Sequence, residues 1–558
     1  MASGGSVPFA EGRREREDAG RGLHEAYAGR SVLLTGVTGF LGTALAEKVL
    51  RSLPGIRRLY VLVRPSQNRA ADERFEKEVS NSAGFWELRR QLGQGFEGFV
   101  AKKVRVLEGD VRRPALGLGA AELKELSREV DVVIHCAAEA VFDAPLDEAL
   151  ATNVWGTLAL LRLARGWEKK PLFLYVSTAF ASGTTKGRIP EQVPADVTPN
   201  GAKLDPYEEL SRLEQAVEEV GRTSRGARLA ARFEATARRE LPRISASDAG
   251  EVAAAAELTR RAWVREHLVR RAMARARKLG WHDVYTFTKA LAERMVLKER
   301  GGLPLVIVRP AICVSSFKEP YPGWMKGFRM ADPIINGIAR GILRDFPGDP
   351  EGVSDFVPVD HVANAVLAAG TCRPVDPEVF HVGYGEQNPL LLKNLYGHIR
   401  DYFLKNPLTD SNGRPIPVPQ WSWPGAKAIE RRLRLARVGL GAASLLVSGL
   451  PKKGRALKDL RRKISRAQKL LRRNLHYSRL YGPYLENLAS TFATDRTQAL
   501  YEALSPEDQD NFPFAVAGLD WRAWLHETHL PTLAGRRSTK KHKETNARTE
   551  ERSPAHAS

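Results

Sequence analysis

The feature that most constrains this chain is a glycine-rich turn between an apolar segment and a helix-forming segment. Residues 31–35 have the composition of a short buried strand, and Gly36, Gly39 and Gly42 follow it at three-residue intervals. Such glycines permit a tight turn, the close approach of a pyrophosphate and tight packing of the helix on the strand. A purely structural turn is the alternative. The pattern predicts a dinucleotide site with these contact residues: Gly36, Thr38, Gly39, Phe40, Leu41 and Gly42.

Further apolar segments alternate with helix-forming segments along much of the chain. They lie at 59–63, 104–107, 132–135, 172–176 and 305–308. Strands that are apolar at nearly every position are typical of parallel sheets, because helices cover both faces of such a sheet. The alternation therefore predicts an α/β fold of the Rossmann type, with a doubly wound parallel sheet.

Changes in composition indicate how the chain is divided. A charged stretch rich in Ala and Leu, at about 200–280, lacks strand candidates and predicts a helical insertion. The predicted units are a flexible tail over 1–28, an NADP-binding Rossmann domain over 29–370, a mainly helical C-terminal domain over 371–535 and a polar tail over 536–558.

Cysteine usage and the N-terminal sequence predict a reducing compartment. Cys136, Cys313 and Cys372 are too few for a disulfide framework and lack the spacing of a zinc site, so no metal is expected. The first twenty residues have no apolar core, which argues against a secretory signal. No uncharged apolar run reaches the roughly 18 residues that span a bilayer. We therefore expect a cytoplasmic protein.

Several residues that follow the predicted strands are candidates for binding the rest of the dinucleotide. An NAD-binding protein is expected to carry Asp or Glu after the second strand, and this chain has Arg64. A guanidinium there can pair with a 2′-phosphate, which predicts NADPH; a solvated arginine is the alternative. Asp110, followed by Val111, is placed to contact adenine, with capping as its alternative role. Small Ala137 and Ala138 leave room for the cofactor after the fourth strand.

A Tyr-x-x-x-Lys pair, Tyr285 and Lys289, is the candidate catalytic unit. On a helix this spacing places both side chains on one face, where the lysine is expected to lower the tyrosine pKa from about 10. The tyrosine can then donate a proton to a developing alkoxide, and the lysine can bind the nicotinamide ribose. Thr178, with Ser177 as reserve, can bind a substrate carbonyl oxygen; the alternative is that both satisfy local backbone. Cys136 is expected to be a core residue rather than a nucleophile.

Motifs spread along the chain resemble those of the extended short-chain dehydrogenases/reductases. In order, they are TGVTGFLG, VLVRP, GDV, VIHCAA, YVSTAF, YTFTK and VRPAI. Three longer segments, and more weakly residues 512–530, resemble the fatty acyl-CoA reductases. The three are AVFDAPLDEALATNVWGT (140–157), SSFKEPYPGWMKG (315–327) and DFVPVDHVANA (355–365). The resemblance implies that Asn153 lies near the cofactor and that Pro310 and Ile312 line the nicotinamide pocket.

This resemblance implies an activity. NADPH would reduce a long-chain fatty acyl-CoA through a hemithioacetal and an aldehyde to a primary alcohol, with release of coenzyme A. Two alternatives stay open. One is a reductase of acyl thioesters bound to a carrier protein. The other is a catalytically silent protein that binds lipid or membrane on a reductase scaffold. The sequence does not determine the oligomeric state.

The net charge of +21 is concentrated in one segment. Residues 427–479 contain seventeen Lys or Arg and only two acidic residues, Glu430 and Asp459. The uncharged run 438–450 is too short to span a bilayer, and basic clusters flank it, including Lys452, Lys453 and Arg455. Such a segment can lie on an anionic membrane. The alternative is a buried helix hairpin with a solvated basic face; nucleic acid is not expected, because no recognised motif accompanies the charge.

Overall fold

The strands of the protein surround the predicted glycine-rich turn. The computed structural model describes residues 22–194, 196–242, 248–327, 331–342, 348–448, 455–486, 490–516 and 518–535. The strands in these residues are β1 (Ser31–Thr35), β2 (Arg58–Val63), β3 (Val104–Glu108), β4 (Val130–His135), β5 (Leu172–Val176), β6 (Gly187–Ile189), β7 (Leu305–Pro310), β8 (Ile312–Val314), β9 (Phe356–Pro358), β10 (Glu378–Val382) and β11 (Ser490–Phe492).

Helices connect and cover these strands. They are α1 (Leu23–Tyr27), α2 (Phe40–Ser52), α3 (Ala71–Phe75), α4 (Trp86–Leu92), α5 (Phe96–Lys103), α6 (Ala120–Glu129), α7 (Leu146–Ala149), α8 (Thr157–Gly166), α9 (Pro206–Ser224), α10 (Ala227–Glu240), α11 (Ala249–Lys278), α12 (Val284–Glu299), α13 (Asp332–Ala339), α14 (Val359–Ala369), α15 (Leu392–Lys405), α16 (Ala426–Ser448), α17 (Arg455–Glu486), α18 (Asp495–Glu502), α19 (Pro506–Asn511), α20 (Trp521–Trp524) and α21 (Leu530–Leu533). Shorter turns are of the π type at Glu76–Ser80, Leu150–Gly156 and Leu525–His529, and of the 3₁₀ type at Ala83–Phe85, Gly93–Gly95, Pro114–Gly117 and Ala179–Ser182.

Within the described residues, seven strands form one parallel sheet in the order β10-β7-β5-β4-β1-β2-β3. The chain builds β2 and β3 on one side of β1 and then crosses to start β4 on the other side. This order confirms the predicted doubly wound Rossmann-type sheet. Ligands of such sheets bind at the carboxyl ends of the strands where the order reverses, which here is between β1 and β4.

Both faces of the sheet are buried, as the uniformly apolar strands predict. Val32 and Leu34 of β1 point to the face covered by α2 and α14, whereas Leu33 points to the opposite face. There it joins Leu158 of α8 and Leu291 of α12 in a second core. Because the period of a strand is two, neighbouring residues of β1 supply both cores. The catalytic helix candidate α12 is thereby fixed against the sheet along most of its length.

The predicted insertion is confirmed as three helices, α9, α10 and α11, between β6 and α12. Few of their residues are apolar and buried, and charged residues are frequent on their exposed faces. Oppositely charged pairs join the helices; Glu209 of α9, which is 1% exposed, binds Arg275 of α11. Buried apolar residues of α9 and α11, among them Leu210, Leu213 and Leu268, belong to the second core, so the insertion extends that core without adding a strand to the sheet.

Two predicted boundaries need correction. The flexible tail does not extend to residue 28, because residues 23–27 form α1, in which Leu23 and Tyr27 are buried. The sheet does not end at residue 370, because Glu378–Val382 pairs with β7 as the edge strand. That strand carries Glu378 and His381 among its five residues, which obscured its apolar pattern. Residues 1–21 and the tail 536–558 lie outside the described residues.

The basic segment forms a hairpin of two helices, α16 and α17, which pack on each other. Four apolar side chains of α16 are largely exposed: Leu435 (67%), Val438 (69%), Leu445 (76%) and Leu446 (75%). The connecting residues 449–454, with Lys452 and Lys453, lie outside the described residues, as does the side chain of Arg455. Among the described residues, no helix is long and apolar enough to cross a membrane.

Candidate active site

The phosphate loop lies at the switch point, between β1 and α2. Gly36 has a φ of +76°, and a Cβ there would lie 2.7 Å from the backbone nitrogen of Ala137. A Cβ at Gly42 would lie 2.1 Å from the carbonyl oxygen of Gly36. Gly39 is the N-cap of α2 and has no side chain that could bind the amides of the first turn. These amides are therefore available to bind an external anion. The same turn holds the other predicted contacts, which are half-buried: Thr38, Phe40 and Leu41.

A buried hydrogen-bond network ties the carboxyl ends of β1 and β4 together behind this loop. The hydroxyl of Thr35 accepts from the amide of Ala137 (3.2 Å) and donates to His135 Nδ1 (2.8 Å). The hydroxyl of Thr157 donates to the carbonyl of Asn153 (2.7 Å), so it accepts from His135 Nε2 (3.0 Å). Burial lowers the pKa of His135 to about 3. The imidazole is therefore neutral, with its proton on Nε2.

Asn153 continues this network toward the catalytic helix. Its Oδ1 accepts from the amide of Glu139 (2.8 Å), and its Nδ2 donates to the carbonyl of Glu139 (3.1 Å) and to the hydroxyl of Thr288 (2.9 Å). The side chain is fully buried. Asn153 therefore fixes the loop after β4 to α12, and a direct contact with cofactor stays a prediction.

The helix α12 carries both members of the Tyr-x-x-x-Lys pair, and an aspartate determines where it starts. Asp283 Oδ1 accepts from the amide of Thr286 (2.8 Å), which caps the helix. One turn further, Lys289 is 1% exposed, and its Nζ donates to the carbonyl of Val176 at the end of β5 (2.6 Å). Tyr285 is half-buried one turn before it. The structure thus brings this helix face to the carboxyl end of β5.

Burial dominates the ionisation of this pair. It raises the pKa of Tyr285 above its usual value of 10 and lowers the pKa of Lys289 to about 7. The expected lowering of the tyrosine pKa by the lysine is therefore wrong, because desolvation by burial raises this pKa and the Coulomb interactions with Asp283 and Glu293 raise it further. The consequence for chemistry is direct: Tyr285 is a neutral phenol at pH 7 and holds the proton that a general acid needs.

The two hydroxyls that follow β5 differ in their contacts. The oxygen of Thr178 accepts from the amide of Phe180 (3.3 Å), which leaves its proton to donate. The hydroxyl of Ser177 is buried and has no hydrogen-bond partner among the described residues. A buried polar group without a partner is costly unless a ligand satisfies it. The alternative role, in which both hydroxyls only satisfy local backbone groups, therefore fits Thr178 in part and does not fit Ser177.

The adenosine end of the site is defined by two strand ends. Arg64 follows β2 with an exposed side chain. The carboxylate of Asp110, after β3, accepts hydrogen bonds from Arg112 Nε (3.0 Å) and Nη2 (2.6 Å). Burial alone would raise the pKa of Asp110, yet these bonds hold it below its usual value. The amide of Arg112 also donates to Asp110 Oδ1 (3.0 Å), which matches the capping alternative, and contact with adenine stays a prediction. Val111 is buried against Gly156 in the second core.

The remaining predicted cofactor residues surround the mouth of the site. Ala137 is half-buried and Ala138 is exposed after β4. Pro310 is buried at the end of β7, and Ile312 is half-buried at the start of β8. All four follow or end strands near the switch point. Contact of these residues with the nicotinamide ring stays a prediction.

Two cysteines lie close enough to Tyr285 to influence its ionisation. Burial raises the pKa of Cys136 to about 11 and that of Cys313 to about 12. Both thiols are therefore protonated at neutral pH and are poor nucleophiles. This supports the expectation that Cys136 is a packing residue.

One residue of the site comes from the C-terminal hairpin and has no local sequence signal. The hydroxyl of Tyr484, on α17, binds the carboxylate of Asp283. Its ring stacks on Phe142, with centroids 5.2 Å apart, and Phe142 in turn stacks on Tyr285 at 6.2 Å. Phe180 meets Tyr484 edge-on at 5.3 Å. The hairpin thus contacts the residues that flank both Tyr285 and Thr178.

Comparison with known proteins agrees with this geometry. A family model described as male sterility protein matches residues 34–366. Fatty acyl-CoA reductase 2, chloroplastic, of Arabidopsis thaliana is 32% identical over 536 residues, which cover 94% of this chain and 81% of the relative. The chain belongs to the fatty acyl-CoA reductase family. The alcohol-forming fatty acyl-CoA reductase of Simmondsia chinensis is 33% identical to this reductase over 396 residues, covering 70% and 73% of the two chains.

Solved structures agree on the fold of the reductase. The terminal R domain from the myxalamid PKS-NRPS biosynthetic pathway covers 92% of each chain, with a TM-score of 0.51 and 18% identity. The reductase (R) domain of a nonribosomal peptide synthetase from Mycobacterium tuberculosis has a TM-score of 0.50 and 19% identity, covering 92% and 96%. The fold is therefore that of Rossmann-type reductases. The enzyme is an oxidoreductase that uses a nicotinamide dinucleotide, and the phosphate loop fits its pyrophosphate.

Proposed function

We propose that this enzyme reduces long-chain fatty acyl-CoA to a primary fatty alcohol with NADPH and releases coenzyme A. The observation that carries the proposal is the hydrogen bond from Lys289, on the helix of Tyr285, to the carbonyl of Val176, the residue that precedes Ser177 at the end of β5. The named activities of the relatives in Arabidopsis thaliana and Simmondsia chinensis support the substrate class. The carrier-protein thioester is the competing substrate, and a silent scaffold is the competing role.

The residues divide the chemistry between them. NADPH, when bound, supplies a hydride to the thioester carbonyl carbon. Thr178 donates a hydrogen bond to the carbonyl oxygen, and Tyr285 gives it a proton as the C–O double bond becomes single. The resulting hemithioacetal loses its hydroxyl proton, the C–S bond breaks, and coenzyme A leaves as the thiol with an aldehyde as the other product. A second reduction at the same residues yields the alcohol. Ser177 offers a second hydroxyl to the substrate.

Replacement of Tyr285 by Phe tests the general acid. Turnover should fall by ~10²–10⁴-fold, because the proton donor is lost while the ring remains. Nucleotide affinity, measured by titration calorimetry, should stay nearly unchanged. Cys136→Ala is the matched control and should keep most of the activity. An inactive Cys136→Ala enzyme, together with an acyl-enzyme trapped in the wild type, would replace this mechanism by a covalent one.

The cofactor preference is proposed to depend on Arg64. Its exposed guanidinium after β2 can pair with the 2′-phosphate of NADPH. Arg64→Asp should move the ratio of kcat/KM for NADPH over NADH toward NADH by about 10- to 100-fold, since a charge-assisted bond is worth ~1.5–3 kcal/mol. Equal use of both cofactors by the wild type would show that Arg64 has no such role.

The substrate is tested by product analysis. Purified enzyme with NADPH is given palmitoyl-CoA, palmitoyl-carrier protein or neither, and NADPH oxidation is followed together with identification of aldehyde and alcohol. The proposal expects hexadecanol and free coenzyme A from palmitoyl-CoA. Reduction of the carrier-bound substrate alone would support the competing reductase. Absence of oxidation with both substrates, while nucleotide still binds, would support the silent scaffold.

A peripheral membrane contact through residues 427–479 is part of the proposal. The exposed leucines and valine of α16 lie beside arginines such as Arg431, Arg434 and Arg437, which are also exposed. Apolar insertion and lipid phosphate together favour such a surface. The long acyl chain of the substrate gives the contact a purpose. Sedimentation should be stronger with anionic than with neutral vesicles at low salt, and equal recovery in the supernatant would contradict it.

A further inference from the structure

A lysine from a distant part of the chain is bound to the back of the phosphate loop. Lys326 Nζ donates to the carbonyl of Thr38 (2.7 Å), to the carbonyl of Glu78 (2.8 Å) and to the hydroxyl of Thr43 (3.1 Å). These three acceptors are uncharged oxygens. Thr38 belongs to the loop, Thr43 to the first turns of α2, and Glu78 to the π turn after α3. The pKa of the Glu78 carboxylate is lowered by its hydrogen bond with Arg74 and also by the charge of Lys326, so this carboxylate lies near the ammonium. Lys326 therefore adds positive charge at the amino end of α2, which Glu78 offsets in part.

The segment that carries Lys326 is held firmly in place. The carboxylate of Asp360, on α14, accepts from the amides of Phe317 (2.8 Å) and Lys318 (2.7 Å). Trp324 is 2% exposed, and its ring lies 5.0 Å from that of Phe40 in the phosphate loop. The position of Lys326 is thus determined by packing on both sides. A preorganised charge costs no rearrangement when an anion binds.

We propose that Lys326 is a positioning residue for the cofactor, which supplies charge to the pyrophosphate site from behind the loop. The proposal rests on the nicotinamide dinucleotide site described above. In the usual arrangement, a helix amino end offers about half a unit of positive charge to the phosphates. Here the ammonium of Lys326 adds further positive charge beside it. By binding the carbonyl of Thr38, it also fixes the peptide that leads into the N-cap of α2.

The test separates the two phosphate groups of the cofactor. ADP carries a pyrophosphate without a 2′-phosphate, whereas 2′-AMP carries a 2′-phosphate without a pyrophosphate. Their dissociation constants are measured by titration calorimetry for the wild type, Lys326→Met, Lys326→Arg and Arg64→Ala. Lys318→Met is the matched control, because it removes an exposed lysine from the same segment. The melting temperature of each variant shows that it is folded.

Lys326→Met should weaken ADP by about 10-fold or more, since unit charges a few ångströms apart interact appreciably at an effective dielectric constant near 20. The dissociation constant of 2′-AMP should change by no more than about 2-fold in Lys326→Met. Lys326→Arg should restore most of the affinity for ADP. Arg64→Ala should show the opposite pattern: it should weaken the binding of 2′-AMP and leave the binding of ADP nearly unchanged. Equal losses for ADP and 2′-AMP in a folded Lys326→Met protein would overturn the proposal, as would no loss. A wild type that binds neither nucleotide would overturn the site itself.

Discussion

The chain carries two helical additions to its sheet domain, and they use charge in opposite ways. The insertion helices α9, α10 and α11 contain ten acidic and fourteen basic residues, and many of these form ion pairs. The hairpin segment 427–479 has seventeen basic residues and two acidic ones. No arrangement of the hairpin can pair its charges internally. Both segments have the sequence of charged helices, yet only the hairpin segment has a large excess of one sign of charge.

The two segments differ in whether their charged side chains are paired within the fold. In the insertion, Glu209 is almost fully buried and is bound by Arg275 and Arg212, so its charge belongs to the fold. In the hairpin, Lys463, Arg466 and Lys469 are exposed on α17. Like charges kept close together cost stability unless something compensates them. The proposed contact with an anionic membrane would supply that compensation.

The largest expected effect comes from charge reversal in the hairpin. Lys463, Arg466 and Lys469 changed together to Glu should lower partitioning onto anionic vesicles by about 100-fold or more, at ~1 kcal/mol per basic residue near the surface. The matched control reverses Arg228, Arg232 and Arg239, which are exposed on α10 of the insertion and give the same change in net charge. Equal losses in the two variants would mean that overall charge, rather than the hairpin, governs binding.

A smaller effect is expected from the insertion. Glu209→Gln keeps the shape of the side chain but removes the charge that two arginines bind, so the free energy of unfolding should fall by about 1–3 kcal/mol. Thermal or denaturant unfolding measures it. Vesicle binding should not change. Glu219→Gln, at an exposed pair with Arg271, is the control and should leave the melting temperature nearly unchanged. A stable Glu209→Gln protein would remove the contrast between the two regions.

The smallest effect concerns Tyr484, through which the described part of the hairpin contacts residues beside Tyr285. Tyr484→Phe keeps the ring stack on Phe142 but loses the hydroxyl bound to Asp283, and kcat should fall by about 3- to 10-fold, the value of one hydrogen bond. Burial raises the pKa of Asp283 to about 6, and the bond from Tyr484 opposes that rise. The variant should therefore move the acid limb of the pH profile to higher pH.

Tyr396→Phe is the control for this prediction. Its hydroxyl also bridges backbone groups of the C-terminal region, at Pro419 and Trp421, but it does not contact α12. This variant should leave kcat and the pH profile as they are in the wild type. If both variants gave the same loss of kcat with no shift in pH dependence, Tyr484 would be a purely structural residue.

Local patterns account for most of what could be predicted. The glycines of the phosphate loop, the apolar strands and the Tyr285–Lys289 pair act over a few residues, so their spacing alone indicates strand, turn and helix. The edge strand β10 was not predicted, since its five residues include a charge and a histidine. The helix α1 was also missed, because only its packing under distant residues buries Leu23 and Tyr27.

By itself, the sequence determined the Rossmann-type sheet, the place of the phosphate loop and the helical insertion, and it predicted the residues for proton transfer and cofactor binding. Only the tertiary structure decided which of these residues meet. Thr35 contacts His135 across 100 positions, Lys326 reaches Thr38 across 288, and Tyr484 reaches Asp283 across 201. It also decided the ionisation of the catalytic pair, because burial, which raises the pKa of Tyr285, depends on everything packed around it. Spacing along a chain encodes the local geometry, whereas desolvation and long-range contacts exist only once the chain has folded.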